Sequence, residues 1–188
     1  MNFKIAIGLP NTGTIKARTV FSLLETVRLN KDVDFLPIFR YGNHIFENRE
    51  RIVEIAEEQK CTHLFFVDSD MRFPPETLKQ LLLHNKDIIG TMYNYRFLPL
   101  TNTVKFFKEE TETLKDIFKV AALGMGCALI KMSVFETMKK PYFPIGFGEL
   151  GKVTMTEDVG FCEKARESGF KVWCDPTIRV KHLGDYEY

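Results

Sequence analysis

The chain has 188 residues, 45% of them apolar and 27% charged, with 26 Lys and Arg against 25 Asp and Glu for a net charge of +1. At ~150 residues per domain the length points to one domain over 1–188, and the ordinary apolar fraction excludes disorder as a whole-chain reading. The charge balance excludes a strongly basic nucleic-acid surface or an acidic tail as the main design, but not a local basic patch. Aromatics make up 13%, with 17 Phe, enough for a dense core. Cys61, Cys127, Cys162 and Cys174 show no C-x-x-C spacing, so free thiols in a reducing compartment are expected. The first ten residues hold too short an apolar run for a signal peptide. The longest weakly polar stretch, 120–130, falls short of the ~18 residues that a membrane span needs. These features point to a cytoplasmic, soluble chain with no membrane span.

In chain order, 3–9 is short, apolar and ended by Pro10, which suits a buried strand. A loop over 11–14 precedes a helix over 16–29, marked by Val20, Phe21, Leu24 and Val27 at helical spacing. A second strand is expected over 34–39, a turn over 40–47, and a helix capped by Asn48 with Ile52, Ile55 and Ala56 on its apolar face. The run 63–67 is the strongest strand signal and leads straight into Asp68-Ser69-Asp70. Pro74-Pro75-Glu76 opens another helix, with Leu78, Leu81 and Leu82 as its buried stripe, and 87–92 is a further strand. The order β-α-β-α-β-α-β implies an α/β fold with a mostly parallel sheet, helices on both faces and right-handed crossovers.

The second half is less regular. An edge strand is expected over 103–107, a polar connection over 108–115, and two strands (120–123 and 128–131) on either side of Gly124-Met125-Gly126. Ser133 caps a short helix to 139, and 141–153, with its Gly and Pro residues, reads as a movable loop. Thr156 is a good N-cap for a helix over 157–168 stopped by Gly169, and 171–174 and 177–180 are short strands.

Asp68 and Asp70 stand at the carboxyl end of the central strand, the edge where open α/β sheets bind ligands. Two carboxylates one residue apart are solvated turn acids more often than hard ligands for Mg2+ or Mn2+, and the preceding apolar run shifts the balance toward a site. Glu157 and Asp158 open a helix, where acids are favoured by the dipole alone. The functional alternative makes one of them a general base held by position more than by basicity. His182 follows a strand, and a lone histidine is more often surface or packing than ligand. Gly124 and Gly126 either permit close backbone approach to a sugar or phosphate or make a tight turn. Arg49, a cation at a helix start, opposes the dipole, which suggests an anion such as a phosphate; a salt bridge to a neighbouring glutamate is the alternative. Arg18, Arg72 and Arg96 are weaker candidates of the same kind. Tyr93, Tyr95 and Phe97 beyond a strand either stack on a sugar or base or pack the rim.

The residues 64–71 (Leu-Phe-Phe-Val-Asp-Ser-Asp-Met), then Phe73-Pro74-Pro75-Glu76, then Thr156-Glu157-Asp158-Val159-Gly160, and finally His182-Leu183-Gly184 follow one another across nearly the whole chain. In this order they resemble a nucleotide-sugar-dependent glycosyltransferase of the GT-A fold, similar to family two. The resemblance implies a single GT-A-like domain of the nucleotide-diphospho-sugar transferase type, using Mn2+ or Mg2+ and a nucleotide-sugar donor, UDP-sugar by family habit. It implies that Asp70 and Asp68 hold the metal with His182 completing the shell, and that Asp158 deprotonates the acceptor hydroxyl with Glu157 as neighbour or substitute. It places Pro10 and Asn11 against the nucleotide base, Arg49, Asp68 and Ser69 on the donor, and Gly126 beside the sugar or acceptor pocket. The acceptor is left open among a glycan, a protein, a small molecule and a modified base, as is the oligomeric state. The chain departs from the family in its shortness and in lacking the Trp-containing acceptor motif of polymer synthases. Two other readings compete. One is a nucleotidyltransferase, for which Asn11-Thr12-Gly13-Thr14-Ile15-Lys16 is a poor version of the usual Gly-rich basic signature; the other is a non-catalytic nucleotide- or sugar-binding module of the same fold.

Overall fold

The computed structural model describes residues 3–107 and 116–184; the connection expected over 108–115 lies outside them. The elements are β1 (Lys4–Asn11), α1 (Ala17–Leu29), β2 (Asp34–Tyr41), α2 (Ile45–Glu58), β3 (His63–Val67), β4 (Met71–Arg72), α3 (Thr77–Leu83), β5 (Ile88–Thr91) and β6 (Phe118–Lys119). They continue with β7 (Cys127–Lys131), α4 (Met132–Thr137), β8 (Gly146–Phe147), β9 (Val153–Met155), α5 (Glu157–Glu167), β10 (Val172–Asp175) and β11 (Lys181–His182).

Seven strands form one sheet in the order β2-β1-β3-β7-β5-β10-β6. β2, β1, β3, β5 and β10 share a direction, whereas β7 runs antiparallel between β3 and β5, and β6 antiparallel to β10. The result is a mixed α/β fold with a mostly parallel sheet flanked by helices. β7 departs from the repeated β-α unit because a parallel neighbour needs a long crossover, normally a helix, and no helix lies between β5 and β7 among the described residues. β7 therefore enters from the edge where β3 ends, with Cys127 opposite Val67.

Strand alternation divides the core into two layers. Leu64, Phe66, Ala128 and Ile130 face α2, α4 and α5 through Ile52, Phe135 and Phe161. Phe65, Val67, Cys127 and Leu129 face the other way, onto Leu23, Leu78 and Leu81 of α1 and α3. Side chains two apart share a face of a strand, so each buried run serves both layers at once.

Several local expectations change. β1 runs past Pro10 to Asn11, because its pairing with β3 ends at Gly8 and only β2 accompanies it further. Asn48 does not cap α2; it sits inside the first turn and its Nδ2 donates to the Gly42 carbonyl at 3.1 Å. Ser133 lies within α4 rather than at its cap. The 103–107 segment makes a single bridge, Lys105 to Ala122, and neither 120–123 nor 177–180 forms a strand. The expected movable loop is anchored at its start, where the Phe143 amide donates to Glu50 at 2.7 Å and the Tyr142 hydroxyl to Glu57 at 3.1 Å. All four cysteines are buried free thiols.

Candidate functional site

The carboxyl ends of β1 and β3 open onto a cleft of about 340 Å3, lined among others by Pro10, Asn11, Lys16, Asp68, Asp70 and His182. Its floor is stitched by backbone bonds. The Ser69 carbonyl accepts from the Lys16 amide at 2.8 Å and from the Thr19 hydroxyl at 3.1 Å, which fixes the start of α1 against the D-x-D turn. Asn11 shapes the facing loop: its Oδ1 accepts from the Gly13 amide at 2.9 Å, and its Nδ2 donates to the Arg40 carbonyl at 3.2 Å.

Two residues 112 positions apart in sequence (182 − 70) meet in this cleft. His182 Nε2 lies 3.3 Å from Asp70 Oδ1. The meeting is built by β11, which pairs with β4 so that His182 faces Met71, while the Leu183 amide donates to the Asp70 carbonyl at 2.7 Å. His182 Nδ1 lies 3.2 Å from the Asn94 carbonyl. A carbonyl only accepts, so Nδ1 carries a proton; Nε2 donates to the Asp70 carboxylate when the ring is protonated and turns a lone pair toward it when the ring is neutral. That arrangement suits a cation between them, with the Asn94 carbonyl fixing the tautomer. Arg96 also reaches Asp70, at 2.7 Å. Burial pushes the Asp70 carboxyl upward, but the His182 hydrogen bond and the charges of His182 and Arg96 outweigh it and hold the acid below its ordinary value.

Asp68 takes a different part. Its Oδ1 accepts from Arg49 Nη2 at 2.8 Å, and Arg49 Nε reaches Glu157 at 3.4 Å. Arg49 is 1% exposed, lies over the Phe66 ring at 5.1 Å, and leaves its Nη1 without a hydrogen-bond partner. Burial opposes its charge, but Asp68, Glu157 and Asp158 together raise its pKa. Arg49 therefore lies beneath the cleft rather than on its wall. It ties the end of β3 to the start of α5.

At that start Thr156 donates to the Asp158 carboxylate, which also accepts from the Val159 amide at 2.8 Å. Burial raises the Glu157 carboxyl above its ordinary value; Arg49 pulls it down only in part, and Asp158 adds to the rise. Neither acid lines the cleft.

Gly126 stands behind the site. A methyl there would lie 2.6 Å from the Tyr93 hydroxyl oxygen and 2.9 Å from Asp68 Oδ2, so the close approach it permits is to the protein's own side chains. Its amide donates to that buried hydroxyl at 2.9 Å, and its carbonyl accepts from the Asp68 amide at 3.0 Å. Burial, with Asp68 nearby, holds the Tyr93 hydroxyl far above its usual pKa.

Pro10, Asn11, Asp68, Ser69, Asp70 and His182 thus share one cleft, with Arg49, Gly126, Glu157 and Asp158 in the layer around it. Lys16, read in the sequence only as the end of a poor Gly-rich basic signature, lines the cleft, as does Asn43, which lies in a turn without a pattern of its own. Among the described residues no group of three or more His, Cys, Asp or Glu side chains is arranged to hold a metal ion. Asp70 offers a hard oxygen donor and His182 an imidazole nitrogen, a pair that fits Mn2+ better than Mg2+.

No protein-family model matches the chain, and no curated protein does. Among solved structures, A197 from STIV aligns with a TM-score of 0.66 at 19% identity, over 97% of this chain and 87% of that one. The inositol-1-phosphate CTP transferase from T. maritima aligns with a TM-score of 0.57 at 12% identity, over 97% of this chain and 90% of that one. At these identities the likeness is one of fold.

Proposed function

We propose that the chain is a nucleotide-dependent transferase, and that it moves a sugar from a nucleotide-diphosphate donor, UDP-sugar foremost, to an acceptor hydroxyl. The observation that carries this reading is the 3.3 Å approach of His182 to Asp70, in a cleft whose far wall is Pro10 and Asn11. The D-x-D, the acids opening α5 and the late histidine belong to the GT-A-like pattern. The antiparallel strand between β3 and β5 begins at Cys127 opposite Val67, which sets Gly126 beside Asp68.

In this reading Pro10 and Asn11 receive the base, and Asp70 with His182 would hold Mn2+ or Mg2+. When bound, such an ion neutralises charge on the departing diphosphate. Lys16 and Arg96 line the same cleft and add positive charge toward phosphate. Asp158 takes the acceptor proton, and Glu157 holds the Arg49 that steadies Asp68. Positioning contributes up to ~7–11 kcal/mol to such reactions, against ~10²–10⁴-fold from a general base. Geometry thus outweighs proton transfer, and inversion at the anomeric carbon is the expected outcome.

A second reading, nucleotidyl transfer, is favoured by the fold likeness to the CTP transferase and by Gly13 and Lys16 in the loop after β1. It uses the same cleft and ion but consumes a nucleoside triphosphate and releases pyrophosphate. Incubation with UDP-sugars and Mn2+, followed by slow donor hydrolysis, tests the first reading; pyrophosphate release from CTP tests the second. Under the first reading Asp70→Ala loses metal-dependent donor binding, while Asp158→Asn keeps donor binding and loses turnover. Pyrophosphate release from CTP without any UDP-sugar hydrolysis reverses the order of the two readings.

A further inference from the structure

Helix α1 is turned inside out. Its buried face carries Thr19, Ser22 and Thr26 with only Leu23 as an apolar contact. Val20, Phe21, Leu24 and Val27, the stripe that marks the helix in the sequence, are 40%, 67%, 63% and 40% exposed. Positions i, i+1, i+4 and i+7 form one continuous ridge along the helix. Isolated exposed apolar side chains need no explanation, but a ridge of four on one helix face marks a binding surface.

Charge identifies the partner. Phe21 borders a groove of about 330 Å3 that is also lined by Arg72, Arg179 and Lys181. Arg18 joins Phe21 and Arg72 around an adjoining hollow. Glu25, the acid lining the groove, is itself held by Arg28 at 2.8 Å. Arg72 and Lys181 stand opposite each other on the β4–β11 ribbon, one residue from His182 and two from Asp70. The ribbon therefore joins the cleft to a cationic, apolar surface beside it.

We infer that α1 and this groove dock peripherally on an anionic lipid bilayer, with Phe21 and Leu24 entering the headgroup boundary and Arg179 and Lys181 facing lipid phosphates. Apolar side chains rimmed by cations are the combination that such an interface rewards. A second copy of the chain is the poorer occupant, because a two-fold contact through this face would set the same cations against each other. No helix among the described residues is long and apolar enough to cross a membrane, so the attachment is to the surface. The inference does not depend on the reaction proposed above.

The test is cosedimentation with phosphatidylcholine–phosphatidylserine vesicles and with pure phosphatidylcholine vesicles. Two paired variants are compared with wild type, Phe21→Glu with Leu24→Glu, and Arg179→Glu with Lys181→Glu, each checked for an unchanged circular dichroism spectrum and melting temperature. Wild type partitions onto the anionic vesicles and not the neutral ones, and binding weakens with added salt. Each pair lowers the partition coefficient by about tenfold or more. Equal binding to both vesicle types, or folded variants that bind like wild type, overturns the inference. So does a concentration-dependent dimer in light scattering that Phe21→Glu with Leu24→Glu abolishes, since a second copy then covers the ridge.

Discussion

Arg49 is the side chain on which most of the site rests. A guanidinium that is 1% exposed cannot be solvated by water, and its charge is met by Asp68 at 2.8 Å and Glu157 at 3.4 Å. Replacing it with Met keeps the apolar contact with Phe66 but leaves two half-buried carboxylates facing each other. Removing one member of a buried ion pair costs about 3–5 kcal/mol, so Arg49→Met should lose that much in urea unfolding. Arg49→Lys should recover only part, since an ammonium cannot serve both acids from a planar fork. A loss under ~1 kcal/mol for Met would show that the network is solvated after all. Asp70 carries the pH dependence. Its folded pKa is lowered, so its contribution to stability is complete above the ordinary aspartate range and fades as pH falls through the lowered value. The stability gap between wild type and Asp70→Asn should therefore be widest near neutrality and close under acid. A gap that widens on acidification contradicts the assigned direction.

Helices α1 and α5 show how differently two elements can be specified. α5 (Glu157–Glu167) lies between Thr156 at its N-cap position and Gly169 just past its C-cap, where the sequence signals put its ends, and it seats so closely on the segment from 141 to 145 that a methyl on Gly160 would collide with the Pro144 carbonyl. Glycine inside a helix is otherwise unfavourable, so this contact explains its presence. Gly160→Ala should cost about 1–3 kcal/mol from overpacking against backbone, despite the better helix propensity of alanine. A stabilised variant in thermal unfolding would mean that the 141–145 segment yields. α1 has equally clear periodicity, and its extent was legible to within one residue, but its orientation was not. Hydrophobic spacing reports that a helix has an apolar face without saying that the face is buried. For α1, Thr19 bonds to Ser69 and the Phe73 amide donates to the Ser22 hydroxyl at 3.2 Å, so specific polar contacts hold its inner face. The short pieces β4, β6 and β11 went unread for a related reason. Two-residue strands have no period, and their partners supply what their sequence lacks.

The joining of Asp70 to His182 depends on the full topology. β10 must lie beside β5 before the chain can return to pair β11 with β4. The motif order hinted at this meeting only through a resemblance; residue spacing held no trace of it, because contact across the sheet edge is set by strand order rather than by distance along the chain. The same dependence makes ligand binding a probe of the assembled fold. Under the proposed function, a nucleotide diphosphate and its ion in the cleft would meet residues from β1, the turn after β3, the 94–96 loop and β11 together, so binding would belong to the folded state alone and stabilise it by mass action. At a hundredfold excess over Kd that stabilisation is about 2.7 kcal/mol. At about 2–4 °C per kcal/mol for a chain of this size, UDP with Mn2+ should raise Tm by about 5–11 °C. His182→Ala would remove one ligand of the proposed ion and leave Pro10 and Asn11 in place. It should therefore keep the smaller shift produced by UDP alone and lose the additional shift produced by Mn2+. If His182→Ala retains the full Mn2+-dependent shift, the imidazole does not hold the ion, and the approach of His182 to Asp70 is an ordinary charged hydrogen bond closing the β4–β11 ribbon.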